Sequence, residues 1–187
     1  MKMESCPLCL FAPCKHIGQG FGRNYYHCPQ CELVHVPRSE HVSKEREQQE
    51  YDLHENNESS QSYCRYLGIV ANEIDSIELE KRKVLDFGSC KEFVLTKILR
   101  QRGYDCTPYD PLYDLPLPTP RATYDIVVLC EVIEHLRKLR QELDLVKSLL
   151  RAGGILYLRT QFYGQVKEVK SWWYANDVTH INFFNEA

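Results

Sequence analysis

Four of the nine cysteines in the chain occur as two closely spaced pairs. Cys6 and Cys9 form one C-x-x-C pair, and Cys28 and Cys31 form the other. Two such pairs can bring four thiolates to one point, and four thiolates are a usual ligand set of structural zinc. A segment of about 40 residues also buries too little apolar surface to fold without such a staple. The sequence therefore predicts a structural zinc ribbon over residues 1–40, with these four cysteines as the metal ligands.

Other side chains in this segment could replace one of the thiolates. Cys14 and His16 are the most credible substitute pair, and His27 and His35 are further candidates. A redox role for the C-x-x-C pairs is disfavoured because neither pair follows a strand in an alternating strand–helix segment. Four free cysteines in a protein core are the remaining alternative.

Acidic residues lie at the ends of three predicted strands. The first strand ends at Asp86-Phe87-Gly88, the second at Asp110 and the third at Cys130-Glu131. Ligands of open α/β sheets bind at the carboxyl ends of strands, and a carboxylate there can bind the hydroxyls of a ribose. Three acids would repel a pyrophosphate but tolerate a ligand that carries an ammonium group and a bare ribose. This pattern favours S-adenosylmethionine over a dinucleotide.

The elements that would position these residues are indicated by hydrophobic periodicity. Apolar residues recur at three and four positions over residues 60–81, and helices are also predicted over 90–103 and 133–154, each ending at glycine. The predicted strands are 83–88, 104–110, 124–132 and 155–161. Helices that alternate with continuously apolar strands are typical of an α/β fold with a parallel sheet.

Several of these segments together resemble motifs of bacterial class I S-adenosylmethionine-dependent methyltransferases. They are VLDFGSCKEFVLTKILRQRGYDCTPYDPLYD, YDIVVLCEVIEHL, LLRAGGILYLRTQ and WWYANDVTHINFF. The chain is most similar to members with an N-terminal zinc ribbon and a late W-Y-x-x-D-x-T-H-x-x-F signature. The resemblance runs from Cys6 to Asn185. It implies methyl transfer and a Rossmann-like, mostly parallel sheet, which is expected to be truncated at the C-terminus. The expected domains are a zinc ribbon at 1–40, a linker at 41–60 and a methyltransferase domain at 61–187.

The resemblance also implies which residues bind the cofactor. They are Asp86, Phe87, Gly88, Ser89, Asp110, Pro111, Leu112, Cys130 and Glu131. In this family Asp86, Gly88 and Ser89 would lie against the methionine part, and Asp110 would bind the ribose hydroxyls. The adenine would lie beside Pro111 and Leu112, and Cys130 and Glu131 would line the floor of the site. His135 would begin the helix behind the pocket.

The first motif departs from the family at Cys90, where a second glycine is expected. A Cβ at this position either strains a positive φ or pushes the cofactor outward. A strain of about 1–3 kcal/mol would weaken cofactor binding about 10- to 100-fold. The position before a helix also predicts a lowered pKa for the Cys90 thiol. A tolerated substitution is favoured over a methyl-accepting cysteine.

The late segment SWWYANDVTHINFF places an acid and a histidine among aromatic residues. His180 has an intrinsic pKa suited to accepting a proton from the methyl acceptor, and Asp177 could orient it. Alternatively, Asp177 and Thr179 form a turn and His180 fills a polar gap. Both alternatives stay open. Tyr51 and His54, between the two modules, are expected to belong to a linker, with a lid as the alternative.

Composition restricts the partners of the chain. A net charge of −3 over 187 residues provides no general attraction to nucleic acid. No apolar run approaches the roughly 18 residues of a membrane span, and the N-terminus lacks the apolar stretch of a signal peptide. Cysteine pairs without an export signal favour a reducing compartment. We therefore expect a cytoplasmic enzyme with a small-molecule acceptor and no membrane partner, while its oligomeric state stays open.

Two alternatives for the function remain. A catalytically silent methyltransferase-like module could use the ribbon to bind a protein partner. An RNA methyltransferase could use the ribbon to bind RNA, although the balanced charge of the ribbon disfavours phosphate contacts.

Overall fold

The computed structural model describes residues 3–53, 56–77, 83–118, 121–164, 166 and 168–186. The chain forms two compact units. The first comprises Met1–Glu47, Glu131–Asp144 and Thr160–Ala187, and the second comprises Gln48–Cys130 and Leu145–Arg159. These units interleave along the chain, and the sequence-based domain boundaries stay a prediction.

The elements of the described residues follow the chain in this order. The strands are β1 (Lys15–Gly20), β2 (Arg23–His27), β3 (Val34–His35), β4 (Lys83–Phe87), β5 (Asp105–Tyr109), β6 (Tyr124–Cys130), β7 (Leu150–Arg159) and β8 (Asn182–Phe183). The α-helices are α1 (Lys44–Leu53), α2 (Gln61–Asp75), α3 (Val94–Gln101) and α4 (Leu139–Leu149). Short 3-10 turns lie at Arg38–Glu40, Ile133–His135, Val169–Ser171 and Trp173–Asn176.

The second unit is built on a parallel sheet with the strand order β5-β4-β6-β7. Strand β6 is buried from Tyr124 to Leu129, as expected for a strand that is covered on both faces. The chain leaves β4 for β5 on one side and returns to β6 on the other. Strand order therefore reverses at β4, which is where ligands of such sheets bind. The predicted α/β fold with a Rossmann-like parallel sheet is confirmed.

Several predicted elements differ in extent from the observed ones. The helix predicted over 90–103 is α3, which begins only at Val94, and the strand predicted over 155–161 is β7, which begins at Leu150. The helix predicted over 133–154 is wrong at both ends, because α4 is preceded by a 3-10 turn and β7 already begins at Leu150. Gly153 has a φ of 73°, and the register of β6 with β7 shifts between Tyr124 and Ile126. The glycines thus lie within an irregular strand rather than closing a helix. The segment predicted as a linker contains α1. The helix predicted over 60–81 is α2, and the predicted part beyond residue 77 lies outside the described residues. His54 also lies outside them.

The first unit contains an antiparallel sheet with the order β1-β2-β3-β8. Strand β8 comes from the late aromatic segment. It pairs with β3, and Phe183 of β8 lies opposite Val34 of β3. Aromatic and aliphatic residues from the N-terminal and C-terminal segments share one core. Its buried members are Tyr25, Val34, Val36, Val169, Tyr174, Ala175, Ile181 and Phe183. The late segment is therefore part of the same folded unit as the cysteine pairs.

Candidate functional site

The four paired cysteines converge in the first unit. One sulfur from each of Cys6, Cys9, Cys28 and Cys31 lies within 4.8 Å of the others, a group that could hold a metal ion. The Cys6 and Cys31 sulfurs are 3.5 Å apart, and so are those of Cys9 and Cys28. Burial raises the pKa of the Cys6 thiol. A cation would therefore have to displace protons as it binds.

The two cysteine loops have the same backbone conformation. The Cys6 N–H donates to the Phe11 carbonyl at 2.9 Å, and the Cys28 N–H donates to the Leu33 carbonyl at 2.8 Å. The residue after each pair is left-handed, with a φ of 66° at Leu10 and 58° at Glu32. Positive φ at a residue other than glycine is costly and persists only where the surroundings impose it. Both loops are thus shaped alike to present two sulfurs each.

The substitute ligands named from the sequence lie outside this group of four. Cys14 is buried, and its sulfur donates to the Phe11 carbonyl at 3.8 Å. His16 contacts Asn24, and His27 contacts Glu32 at 3.1 Å. His35 is 2 % exposed, and burial lowers its pKa to about 4. These histidines have roles in the sheet of the first unit.

In the second unit, β4 leads into the loop that the sequence singled out. Gly88 has a φ of 81°, which suits glycine, and its N–H donates to the Tyr109 carbonyl at 2.8 Å. The Asp86 carboxylate accepts hydrogen bonds from the Thr96 N–H at 3.1 Å and from the Thr96 hydroxyl at 2.8 Å. Asp86 thus stabilises the first turn of α3. Burial raises its pKa to about 6.

The Asp110 carboxylate joins two loops at the ends of β4 and β5. Its Oδ2 accepts from the Cys90 N–H at 3.0 Å, and its Oδ1 accepts from the Leu112 N–H at 2.9 Å. Burial raises the pKa of Asp110 despite these hydrogen bonds. An ionised carboxylate has about four acceptor positions, so a further position remains for a hydroxyl donor.

Cys90 is left-handed, with a φ of 58°. Of the two consequences predicted for its Cβ, the strained positive φ is therefore the one observed. The prediction of a lowered thiol pKa is wrong, because burial raises the pKa of Cys90 to about 12 and the Asp110 and Asp86 carboxylates act in the same direction. A thiol that holds its proton is a poor nucleophile.

Ser89 offers an unsatisfied hydroxyl in the same loop. The residue is 6 % exposed, and its Oγ has no hydrogen-bond partner within the described part of the chain. Buried hydroxyls are nearly always hydrogen-bonded in folded proteins. The Phe87 ring packs edge-on against Tyr109 at 4.9 Å between centroids, whereas Pro111 is exposed and Leu112 half-buried.

Two tyrosines of α2, Tyr63 and Tyr66, belong to this strand-end region and were not predicted as site residues. Burial raises the pKa of Tyr63, and Cys90 and Asp86 raise it further. The Cys130 sulfur is 3.8 Å from the Tyr66 hydroxyl, which accepts from Arg159 Nε at 3.0 Å. The sequence could have indicated them through the tyrosines on the apolar side of α2, the helix that precedes β4.

A second group of polar side chains is buried in the first unit. Glu134 is 0 % exposed, and its Oε2 lacks a hydrogen-bond partner among the described residues. The Tyr174 hydroxyl contacts Glu134 Oε1 and lies 3.0 Å from Glu131 Oε2. Burial, with the Glu131 carboxylate nearby, raises the pKa of Glu134 to about 8. Glu131 is left-handed, with a φ of 52°.

The predicted pair His180 and Asp177 lies beside this group. Asp177 Oδ1 accepts from the Thr179 N–H at 2.8 Å and from its hydroxyl at 2.6 Å, which is the turn considered as the alternative. Asp177 Oδ2 is also 3.7 Å from His180 Nε2. The structure thus contains the turn and the proximity together. Burial lowers the pKa of His180 even though Asp177 is close.

Arg23 organises the segment that carries these residues. Its buried guanidinium donates to the carbonyls of Ala175, Asp177, Val178 and His180 at 2.5–3.0 Å. In the described chain its Nε has no hydrogen-bond partner. Five donors in a rigid fork suit one arginine to several carbonyls. Arg23 could not be predicted from the sequence, since a single arginine in a polar segment carries no signal.

The family model for a methyltransferase domain matches residues 65–187. The chain belongs to this methyltransferase domain family. The match begins in α2 and includes the strand-end loops of the second unit as well as the late aromatic segment of the first. No curated protein matches the chain.

Membership of the methyltransferase family accounts for the parallel sheet and supports methyl transfer as the general activity. In the second unit, the structure brings the predicted residues Asp86, Gly88, Ser89 and Asp110 to the ends of β4 and β5. Among the helices that the structure describes, none has the length and apolar character needed to cross a membrane.

Proposed function

We propose that the chain transfers the methyl group of S-adenosylmethionine to a small-molecule acceptor. The observation that carries the proposal is the buried, unsatisfied Ser89 hydroxyl between a left-handed Gly88 and the strand-end carboxylate Asp110. A buried polar atom without a partner at the edge where strand order reverses is what a ligand site requires.

The residues of the loop fit this cofactor chemically. The Ser89 hydroxyl can donate to the carboxylate of the methionine part, and the acceptor position that the backbone N–H groups of Cys90, Leu112 and Tyr113 leave on Asp110 suits a ribose hydroxyl. Phosphates are absent from this cofactor, so buried carboxylates at Asp86 and Asp110 do not repel it. The half-buried Leu112 offers an apolar contact for the adenine. Phe87, Pro111, Cys130 and Glu131 complete the proposed set.

When bound, the cofactor supplies a methyl group on a positively charged sulfur. The work of the protein is to hold the acceptor in line with that carbon and to remove the acceptor's proton. His180 and Asp177 are the proposed catalytic pair. The lone pair of His180 Nε2 can take that proton. Alternatively, it can hold a cation that binds the acceptor.

The four-cysteine group is proposed to hold structural zinc. Four thiolates complete a tetrahedral shell and leave no position for a substrate. The matching backbone of the two loops supports a site that is shaped for one ion. Reduced thiolates persist in a reducing compartment. We therefore propose that the protein is located in the cytoplasm.

Calorimetric titration of the zinc-loaded chain with S-adenosylmethionine and with its demethylated product tests the proposal. Micromolar binding of either is expected. Asp110→Ala should weaken binding about 10- to 100-fold, because hydrogen bonds to a charged group contribute about 1.5–3 kcal/mol. Asp105→Ala, at the opposite end of β5 and exposed, is the matched control and should bind as the unmodified chain does.

The Cys90→Gly variant tests the loop directly. Glycine removes the strain of the left-handed position, so binding should tighten by up to about 100-fold if the strain of about 1–3 kcal/mol falls on the bound state. Weaker binding would show that the thiol contributes to the site. A folded chain that binds neither compound up to millimolar concentration would support a silent binding module, and salt-sensitive binding to RNA would support the RNA methyltransferase.

A further inference from the structure

Three potential metal ligands converge in the first unit, apart from the cysteines. They are Glu134, His135 and His180, and one ligand atom from each lies within 4.8 Å of the other two. The two imidazole rings are 4.7 Å apart between centroids and meet edge to face. A surface histidine pair would be unremarkable, but these rings lie beside a carboxylate that is 0 % exposed.

Both histidines are held in the tautomer that a metal needs. Nδ1 of His135 donates to the Thr179 carbonyl at 3.1 Å, and Nδ1 of His180 donates to the Tyr174 carbonyl at 2.7 Å. A proton on Nδ1 leaves the lone pair on Nε2. Histidines that bind metals commonly donate their other ring N–H to a backbone carbonyl or a carboxylate in this way.

The third ligand has an oxygen that the fold leaves unsatisfied. Glu134 Oε1 contacts the Tyr174 hydroxyl, whereas no donor of the described residues reaches Oε2, and the neighbouring Glu131 carboxylate offers one only when the two acids share a proton. Burial of such an oxygen is costly unless a partner is supplied. A cation between Oε2 and the two imidazoles would supply it.

The backbone around the three ligands is held rigidly. The Ile181 N–H donates to the Glu134 carbonyl at 2.9 Å, and the Asn182 amide donates to the Leu136 carbonyl at 2.9 Å. Arg23 donates to the carbonyls of Ala175, Asp177, Val178 and His180. Ligands from two distant stretches of the chain are therefore fixed with respect to each other before any ion binds.

We propose that Glu134, His135 and His180 form a binding site for a divalent first-row transition cation, distinct from the four-cysteine group. Imidazole and carboxylate together suit ions such as Mn²⁺, Fe²⁺, Co²⁺ and Zn²⁺, whereas four thiolates select zinc. The Tyr174 hydroxyl contacts the carboxylates of both Glu131 and Glu134, so Glu131 is placed to add an oxygen ligand. Three or four protein ligands leave positions for water or for an acceptor oxygen. Only the assignment of those positions to the acceptor rests on the proposed methyl transfer.

Metal content after dialysis tests the site. The zinc-loaded full chain is dialysed separately against Mn²⁺, Co²⁺ and Zn²⁺, and bound metal is measured by elemental analysis, with electron paramagnetic resonance for Mn²⁺. We expect one equivalent beyond the ion of the cysteine group. His180→Ala and Glu134→Gln should each weaken the affinity for this additional ion. The loss should exceed the roughly 10- to 100-fold effect of changing a residue that only supports a metal ligand.

Matched variants and a fold measurement complete the design. His16→Ala and Glu168→Gln change exposed residues of the same unit and should keep the additional equivalent. Near-ultraviolet circular dichroism shows whether each variant is folded, and His135→Gln replaces any variant that is not. No additional equivalent with any of the three metals, or one that survives all three ligand substitutions, would overturn the proposal. Cofactor titration of the same samples is independent, so failure of the cation site and failure of the proposed function are distinguishable.

Discussion

The two units of this protein are stabilised by different kinds of interaction. The second unit has a parallel sheet whose strand β6 is buried over six consecutive residues, and its core is aliphatic. The first unit has two strands of only two residues each, β3 and β8. Its described contacts include four convergent sulfurs and an arginine that donates to four carbonyls. The smaller core thus relies on polar anchors, to which the proposed zinc would add, whereas the larger one relies on apolar burial.

Carboxylates show the same contrast. In the second unit, Asp86 and Asp110 accept hydrogen bonds from backbone N–H groups, which satisfies them within the fold. In the first unit, Glu131 and Glu134 both approach the single hydroxyl of Tyr174, and Glu134 keeps an orphaned oxygen. Carboxylates that a fold satisfies are structural or share their remaining positions with a ligand. A buried one that it leaves unsatisfied points to a ligand more directly.

Removal of the proposed zinc should have the largest effect and should destabilise the first unit but not the second. Structural zinc contributes about 10–16 kcal/mol to the folding of small zinc-binding peptides. With Cys28→Ser, or after chelation, amide protection should disappear from β1 and β2 and persist in β4 and β6. Hydrogen exchange followed by mass spectrometry measures both. Cys64→Ser, a half-buried cysteine of α2, is the control. Equal loss of protection in both units would contradict the comparison.

Arg23→Met should be the next most damaging change. It leaves one buried and three half-buried carbonyls without their donor, at a cost on the order of 4 kcal/mol in unfolding free energy. Urea unfolding measures this cost, and weaker cation binding should accompany it because the same carbonyls hold the segment of His180. Arg38→Met, at an exposed arginine in the same unit, is the control. A loss as small as that of the control would show that Arg23 is not an anchor.

Asp86 should make the stability of the second unit depend on pH. Burial raises its pKa from 3.8 to about 6 in the folded chain, so the folded state binds the proton more tightly than the unfolded state. Its contribution to the free energy of unfolding is therefore largest at low pH and is lost as pH rises through this interval. A difference of about 2 pKa units corresponds to about 3 kcal/mol.

The Asp86→Asn variant tests that contribution. Unfolding free energies measured from about pH 4 to pH 7 should fall less steeply for the variant than for the unmodified chain. Asp114→Asn, at an exposed acid of the same unit, should keep the original slope. Parallel curves for Asp86→Asn and the unmodified chain would show that Asp86 does not hold a proton in the fold.

A pair of glycine substitutions should have the smallest effects and opposite signs. A Cβ on Gly20 would lie 1.8 Å from the Lys170 carbonyl oxygen, so Gly20→Ala must separate β1 from that turn, at a cost of about 1–3 kcal/mol. A Cβ on Gly68 meets no atom of the described residues within 4 Å, so Gly68→Ala should stabilise α2 by about 0.5–1 kcal/mol. Thermal unfolding measures both. Stabilisation by Gly20→Ala would contradict the close packing of the first unit.

The strand-end loops show how far sequence patterns extend. The apolar run before Asp86 predicted β4 closely, because a buried parallel strand requires continuous apolar residues. Strand β5 begins at the exposed Asp105 and is only partly buried, and its bounds were predicted to within one residue at each end. The end of the helix after residue 133 was predicted wrongly, since glycine serves an irregular strand as readily as a helix end. The thiol pKa of Cys90 was also wrong, because its sign depends on burial and on carboxylates that approach from other elements.

Residue spacing was enough to predict the two cysteine pairs, the alternation of strands and helices, and the acids at the strand ends. These properties are local, because each depends on residue spacing within one segment. The three-dimensional packing was needed to show that β8 pairs with β3, that Arg23 holds the carbonyls beside His180, and that Glu134 Oε2 lacks a donor among the described residues next to two histidines. Arg23 and His180 are 157 positions apart. Contacts over such separations depend on how the whole chain packs, and no pattern within a segment specifies them.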